Sequence, residues 1–72
     1  MPVITVHMLN GRTAAQKGAL IAELADAAKR TLGVPDEAIR VLLTEMPPEH
    51  WGVGSRTMAE LRSVRATEPE AE

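Results

Sequence analysis

The sequence contains no cysteine, phenylalanine or tyrosine, and it has a single tryptophan. Without cysteine the chain has neither disulfides nor a thiolate that ligates a metal or attacks a substrate. No two histidines stand at metal-ligand spacing and the carboxylates are not clustered, so we expect no metal site. The glycine-rich motifs that cradle phosphates are missing as well. Any chemistry must come from other groups.

The chain also lacks a long apolar run and a concentration of positive charge. No stretch approaches the roughly 18 apolar residues of a membrane span, and the first residues do not resemble a secretion signal. The net charge is −2, and the eight basic residues are scattered along the chain. We therefore expect a cytoplasmic protein that binds neither membranes nor nucleic acid and has a small-molecule or protein partner.

The 72 residues are enough for one small domain. A chain of this size buries only about 60% of the surface that its unfolded form exposes, so a lone subunit should be marginally stable. Because bulky aromatics, disulfides and thiolate-bound metals are missing, oligomerisation is the remaining common remedy. We expect a single domain over residues 1–65 and a disordered acidic tail over 66–72.

The first half of the chain carries clear signals for a strand and a helix. Residues 3–9, VITVHML, alternate between two sets of side chains and are rich in β-branched residues, which predicts a strand with two distinct faces. Thr13 stands three residues before Gln16, a capping box typical of a helix start. Apolar residues recur at helical spacing from Ala14 to about Leu32, and Gly33 marks the helix end.

A second strand is predicted over residues 39–45, IRVLLTE. Two strands joined by a helix of this length should lie parallel in one sheet, which leaves one face and both edges open for partner subunits. The paired glycines of WGVGS predict a tight turn or short hairpin, and residues 57–65 are compatible with either a helix or a strand. The predicted fold class is α/β (α+β), a β-α-β unit with parallel strands and a short C-terminal hairpin, assembled as an oligomer.

A proline at position 2 stands immediately before the first predicted strand. Proline has no backbone N–H for a sheet, so it is tolerated at a strand start, and this alone accounts for Pro2. The alternative is chemical, because removal of Met1 turns the ring nitrogen of Pro2 into a free secondary amine. Apolar surroundings and nearby guanidinium groups would lower the pKa of that amine toward the range of a general base.

Two arginines and the tryptophan are further candidates. Arg12 precedes the helix cap, where the helix dipole disfavours a cation; it is either a solvated loop residue or a ligand for a carboxylate. Arg40 interrupts an apolar strand and either faces water or meets an anion. Trp51 lies between prolines and glycines, where it either walls a pocket or packs against a neighbouring subunit. Together with an amine, these are the groups that proton transfer on an acidic enol requires.

The segments PVITVHMLNGR, IRVLLTEM and HWGVG, with the long helix after the first of them, resemble the 4-oxalocrotonate tautomerases in order and spacing. The similarity runs from Pro2 to about Ser55, about three quarters of the chain. These small isomerases begin with a catalytic proline. The resemblance implies that Pro2 is a general base that carries a proton between the hydroxyl and carbon ends of 2-hydroxymuconate or a related carboxylated dienol, giving an α,β-unsaturated ketone.

The resemblance also implies the remaining site residues and the assembly. Arg12 and Arg40, from neighbouring subunits, would hold the substrate's carboxylates and polarise its carbonyl oxygen, and the substrate pocket would include Leu9, Trp51 and Val53. It further implies a homohexamer, a trimer of dimers, and no cofactor. A non-catalytic binding or assembly protein that keeps this oligomer is the alternative, and a role in aromatic compound catabolism or in biosynthesis stays open.

Two features depart from the family's patterns. Trp51 stands where the best-known members carry phenylalanine, which reshapes the pocket and leaves the natural substrate open. The haloacrylate dehalogenase branch uses a carboxylate two residues after that aromatic position, and an additional arginine. This chain has Val53 and Leu9 at those positions, so hydrolytic dehalogenation is disfavoured.

Overall fold

The computed structural model describes residues 1–66, and its first three main elements form a β-α-β unit. Strand β1 spans Val3–Leu9, helix α1 spans Ala14–Leu32 and strand β2 spans Arg40–Met46. The two strands pair in parallel along their whole length. The crossover unit predicted from the sequence is therefore confirmed.

A short hairpin and a second helix complete the described residues. Strand β3 (Gly52–Val53) pairs antiparallel with β4 (Arg56–Thr57), as the paired glycines predicted, and helix α2 spans Met58–Ala66. The sequence of residues 57–65 is compatible with either a helix or a strand, and the structure shows a helix from Met58 onward. Apart from Ala66 at the end of α2, the predicted acidic tail lies outside the described residues. Neither helix within residues 1–66 has the combination of length and apolar character that crossing a lipid bilayer demands.

Both ends of α1 follow the signals in the sequence. The Thr13 hydroxyl accepts the Gln16 N–H at 3.1 Å, and the Gln16 side chain accepts the Thr13 N–H at 3.0 Å, which completes the predicted capping box. Gly33 has a φ of 69°, a left-handed conformation that glycine adopts without steric cost, and its N–H donates to the Lys29 carbonyl at 3.0 Å. Local hydrogen bonds therefore set the length of this helix.

The side chain of Lys29 connects the end of α1 to the segment that leads into β2. Its ammonium group lies 3.2 Å from a carboxylate oxygen of Asp26, one turn earlier in α1, and 3.2 Å from one of Asp36. Asp36 opens a 3₁₀ turn, Asp36–Ala38. Hydrogen bonds to Asp26 and Asp36 raise the pKa of Lys29 above its ordinary value. This ion-pair cluster is solvent-exposed, so we assign it a modest role in stability.

Strand β2 begins and ends one residue later than the predicted range 39–45. At its start, the Ile39 N–H donates to the Asp36 carbonyl at 3.1 Å and closes the 3₁₀ turn, so it does not start the strand. At its end, the Met46 carbonyl accepts the Asn10 N–H at 3.0 Å, which extends the pairing by one residue. Pro47 follows and has no N–H to continue it.

Helix α1 covers one face of the two-stranded sheet and leaves the other open. The strand side chains on the covered face are half-buried; they include Ile4, Val6, Met8, Val41 and Leu43. Among the described residues the buried side chains are those of Ala28 and Ile39, whereas Val3 and Leu42 on the open face are 57% and 53% exposed. The radius of gyration is 16.2 Å, compared with about 11 Å for a compact chain of this length. A single subunit therefore has very little core of its own.

Removal of the α1 cap should destabilise the fold. Thr13→Ala leaves the Gln16 N–H without its side-chain acceptor, and we expect the free energy of unfolding to fall by about 1 kcal/mol. Thr13→Ser keeps an accepting hydroxyl, so its free energy of unfolding should stay close to that of the wild type. Urea denaturation followed by circular dichroism, at one fixed protein concentration, measures the difference. An unchanged midpoint for Thr13→Ala would show that the cap does not contribute.

Candidate active site

The amino end of the sheet carries Pro2 and Arg40, two of the predicted site residues. Pro2 is half-buried immediately before β1, and its carbonyl accepts the Arg40 N–H at 3.1 Å. This hydrogen bond fixes the proline at the start of the sheet, where its missing N–H has no cost. Met1 is 81% exposed, so the peptide bond that precedes the proline is at the protein surface.

The side chain of Arg40 is held against the backbone that precedes β2. Its Nη1 atom donates to the carbonyl of Glu37 at 2.7 Å and to that of Ile39 at 3.2 Å. A guanidinium group carries five N–H donors, and these two bonds use one of its three nitrogens. The remaining nitrogens of this exposed residue keep donors that suit an anionic ligand.

The carboxyl end of the sheet carries an open groove of about 500 Å³. Its residues come from the end of β1 and the loop before α1, from the position after the 3₁₀ turn Pro48–His50, and from α2. Those that line it are Met8, Leu9, Asn10, Gly11, Arg12, Trp51 and Arg62. The structure thus brings together three predicted site residues, Leu9, Arg12 and Trp51. Val53 lies on β3, 48% exposed, and is not one of the lining residues.

Arg12 is positioned by the turn between β1 and α1. Gly11 before it has a φ of 117°, which a residue with a Cβ adopts only with strain. The first turn of α1 contains no acidic residue of its own beside the positive end of the helix dipole. The first turn is held to the end of β2 by an ion pair between Lys17 and Glu45, at 3.1 Å. This end of the groove therefore favours an anion.

Trp51 is held through its backbone. Its N–H donates to the Pro48 carbonyl at 3.3 Å, and its own carbonyl accepts the Met58 N–H, the first of α2, at 2.7 Å. The indole is half-buried and lines the groove. Trp51 therefore lines a groove that is formed within one subunit.

Arg62 is a groove residue that the sequence analysis missed. It lies on α2, which begins with a capping box in which the Thr57 N–H donates to the Glu60 carboxylate at 2.8 Å and the Glu60 N–H donates to the Thr57 hydroxyl at 3.1 Å. The Thr-x-x-Glu pattern is visible in the sequence and predicts this helix. Its contact with the groove depends on tertiary packing and has no comparable sequence signal.

The two groups of candidate residues lie at opposite ends of one sheet. Pro2 and Arg40 stand where the parallel strands begin, and Leu9 and Arg12 stand where β1 ends. Seven residues of strand span roughly 20 Å, at about 3.3 Å per residue. A single subunit cannot bring Pro2 and Arg12 to one small substrate, so a site that uses both must combine residues of different subunits.

Comparison with known proteins assigns the family. A family model described as "Tautomerase enzyme" matches residues 2–60. The chain therefore belongs to the tautomerase family, which confirms the resemblance to the 4-oxalocrotonate tautomerases and the expected enzyme class, an isomerase.

Two curated relatives cover most of the chain. The "Probable tautomerase RSp0893" of Ralstonia nicotianae is 51% identical over 53 residues, which are 74% of this chain and 76% of the relative. The 2-hydroxymuconate tautomerase of Pseudomonas fluorescens is 41% identical over 61 residues, covering 85% of this chain and 97% of the relative.

Solved structures agree with the β-α-β fold. TomN, a 4-oxalocrotonate tautomerase homologue of the tomaymycin biosynthetic pathway, superposes with a TM-score of 0.83 at 48% identity, covering 86% of this chain and 95% of TomN. A heterohexameric 4-oxalocrotonate tautomerase from Chloroflexus aurantiacus J-10-fl gives a TM-score of 0.80 at 42% identity, covering 86% of this chain and 100% of the other. The predicted fold class is confirmed.

Proposed function

We propose that this protein is a cofactor-independent tautomerase that converts 2-hydroxymuconate, or a related carboxylated dienol, into the α,β-unsaturated ketone. Its family and the names of relatives such as the Pseudomonas fluorescens enzyme support the reaction and the substrate class. TomN, from a biosynthetic pathway, supports the wider class of carboxylated enols. The reaction is a proton transfer within one molecule, so it balances without any oxidant, reductant or cofactor.

The observation that carries the proposal is the position of Pro2. It is half-buried immediately before β1, its carbonyl accepts the Arg40 N–H, and the exposed Met1 precedes it. Proline is small enough to permit removal of Met1 in the cell, and this removal leaves a secondary amine at a fixed place on the sheet. The amine takes the proton of the enol hydroxyl and returns a proton to the carbon end of the dienol.

Arg12 and Arg40 provide the positive charge that this reaction needs. Negative charge develops on the substrate oxygen as its proton leaves, and a guanidinium group at that oxygen stabilises the transition state. Guanidinium groups also hold the substrate's carboxylates through paired N–H donors. Positive charge near the amine disfavours its protonated form, so the pKa of Pro2 should lie below that of a free proline amine.

A homohexamer built as a trimer of dimers would bring the two ends of the sheet together. Three features support an oligomer: the separation of Pro2 from Arg12, the exposed apolar residues on the open sheet face, and the small core. The heterohexameric relative supports the number of subunits. The pocket would then combine Pro2 of one subunit with the groove of another, lined by Leu9, Arg12 and Trp51, with Val53 added at its rim.

The pH dependence of the rate tests Pro2 as the base. On protein whose mass verifies the loss of Met1, the rate of 2-hydroxymuconate ketonisation should rise with pH through a single ionisation below that of a free proline amine. The same chain with a retained N-terminal extension has an amide at Pro2, and its rate should fall by about 100-fold or more. Equal rates for the two proteins would show that Pro2 is not the base. If the processed protein is no faster than the uncatalysed reaction, 2-hydroxymuconate is not its substrate.

Loss of the Arg40 guanidinium should lower catalysis without dissociating the oligomer. We expect Arg40→Ala to lower kcat/KM for 2-hydroxymuconate by about 100-fold, the range found for donors that face developing charge. Arg40→Lys keeps the charge but loses the paired donors, so its kcat/KM should lie between those of the wild type and Arg40→Ala. Arg56→Ala, which removes an exposed strand arginine outside the groove, is the matched control. Sedimentation velocity checks the assembly, and wild-type kinetics for Arg40→Ala would exclude it from the site.

Co-assembly of two inactive variants tests whether the site is shared. Chains with a retained N-terminal extension lack the Pro2 amine, and Arg12→Ala chains lack the groove guanidinium. If one site takes Pro2 and Arg12 from different subunits, some sites in a mixed oligomer combine two intact residues, and activity should rise well above either parent. Co-expression with two different C-terminal tags isolates the mixed species. Activity equal to the mean of the parents would contradict a shared site.

A further inference from the structure

The groove at the carboxyl end of the sheet, which we call the arginine groove, is lined by Arg12 and Arg62. Within the described part of the chain, its lining residues include no acidic side chain. Among the side chains that the structure describes, the ion pairs join Lys17 to Glu45 and Lys29 to two aspartates, so they involve neither groove arginine. Two guanidinium groups at one groove repel each other, and an anion between them relieves the repulsion. The groove therefore attracts a nearby anion whether or not substrate is present.

The sequence supplies such anions directly after α2. Residues 67–72 read TEPEAE and contain three glutamates, Glu68, Glu70 and Glu72, and no basic residue. They lie outside residues 2–60, the part of the chain that matches the family model. Three carboxylates within five residues are therefore a feature of this chain and do not belong to the family pattern.

The distance from the end of α2 to the groove is short enough for this segment to reach it. Helix α2 ends at Ala66, four residues after Arg62, which is about 6 Å along the helix axis at 1.5 Å per residue. The first turn of α2 is fixed beside Trp51 by the Met58 N–H, which donates to the Trp51 carbonyl at 2.7 Å. The six residues after Ala66 span up to about 20 Å when extended. Only part of that length is needed to bring a glutamate back to the Arg62 guanidinium.

We propose that residues 67–72 bind in the arginine groove and compete there with anionic ligands, so that the segment is an internal inhibitor of the site. Charge complementarity selects this occupant, because guanidinium groups form charge-assisted hydrogen bonds with carboxylates and a tethered carboxylate has an effective concentration in the millimolar range. Arg12 and Arg62 are exposed, so each contact is weak and a dicarboxylate displaces the segment as its concentration rises. The consequence for catalysis rests on the proposed function, whereas binding of the segment to the groove does not.

Trp51, the only aromatic residue of the chain, reports ligand binding in the groove through its fluorescence. The probe is adipate, a saturated six-carbon dicarboxylate that cannot react. At one fixed ionic strength, we expect a chain that ends at Ala66 to bind adipate with a Kd about fivefold lower than that of the 72-residue chain, because no internal carboxylate competes. The triple change Glu68→Gln, Glu70→Gln and Glu72→Gln keeps the chain length and should lower the Kd equally.

Two control variants separate binding of the segment from a general effect of charge. Replacement of the same three glutamates by aspartate keeps every carboxylate, so the adipate Kd should match that of the wild type. The double change Glu23→Gln and Glu49→Gln removes two exposed carboxylates outside the groove and should also leave the Kd unchanged. A wild-type Kd for the truncated chain would overturn the proposal, and so would an equal fall in Kd for the Glu23 and Glu49 variant.

Kinetics with 2-hydroxymuconate test the same competition during turnover. Truncation after Ala66 should lower KM about fivefold and leave kcat nearly unchanged, because a competitor that the substrate displaces has no effect at saturation. The triple glutamine variant should behave in the same way. A fall in kcat together with an unchanged KM would contradict competition for the groove.

The two proposals fail in different ways. If the wild type converts no 2-hydroxymuconate but the truncated chain binds adipate more tightly, the proposed reaction is wrong and the inhibitory segment stands. If the wild type converts 2-hydroxymuconate and truncation changes neither KM nor the adipate Kd, the segment does not bind the groove and the reaction stands. Sedimentation velocity of each variant measures its assembly, and a change in affinity found only together with altered assembly would overturn the role of the segment.

Discussion

The parallel pairing of β1 and β2 is the constraint on which the rest of this structure depends. Parallel strands begin at the same end of the sheet, so Pro2 and Arg40 are neighbours, joined by a backbone hydrogen bond of 3.1 Å. The same geometry places the end of β1, and with it Arg12, at the opposite end of the sheet. The crossover helix that parallel pairing requires also starts there, with its positive end next to the groove.

Assembly of several subunits would account for both the small core and the proposed chemistry. Helix α1 covers one sheet face, while apolar side chains such as Val3 and Leu42 stay exposed on the other. A chain of this size without disulfides or large aromatics gains little stability from its own core. Contacts between subunits would bury the open face and, in the same step, bring the amine of one chain to the arginine groove of another. Stability and site formation would then be one process.

Most of the fold could be predicted because its signals are local. The Thr13–Gln16 cap and the left-handed Gly33 determine the ends of α1 through hydrogen bonds among neighbouring residues. The limits of β2 depend on a 3₁₀ turn and on pairing with β1, so the prediction was one residue off at each end. Arg62 could not be assigned to the groove, because its place depends on the Met58–Trp51 hydrogen bond between segments whose packing no local pattern encodes.

The roughly 20 Å between the two ends of the sheet has a consequence for the protein at low concentration. Under the proposed function, an isolated subunit contains both halves of a site but no complete site. Dilution below the dissociation constant of the assembly would remove activity by mass action, although each chain keeps all of its residues. Catalysis per chain would therefore rise steeply with the number of copies in the cell, so the level of expression itself would act as a threshold for the reaction.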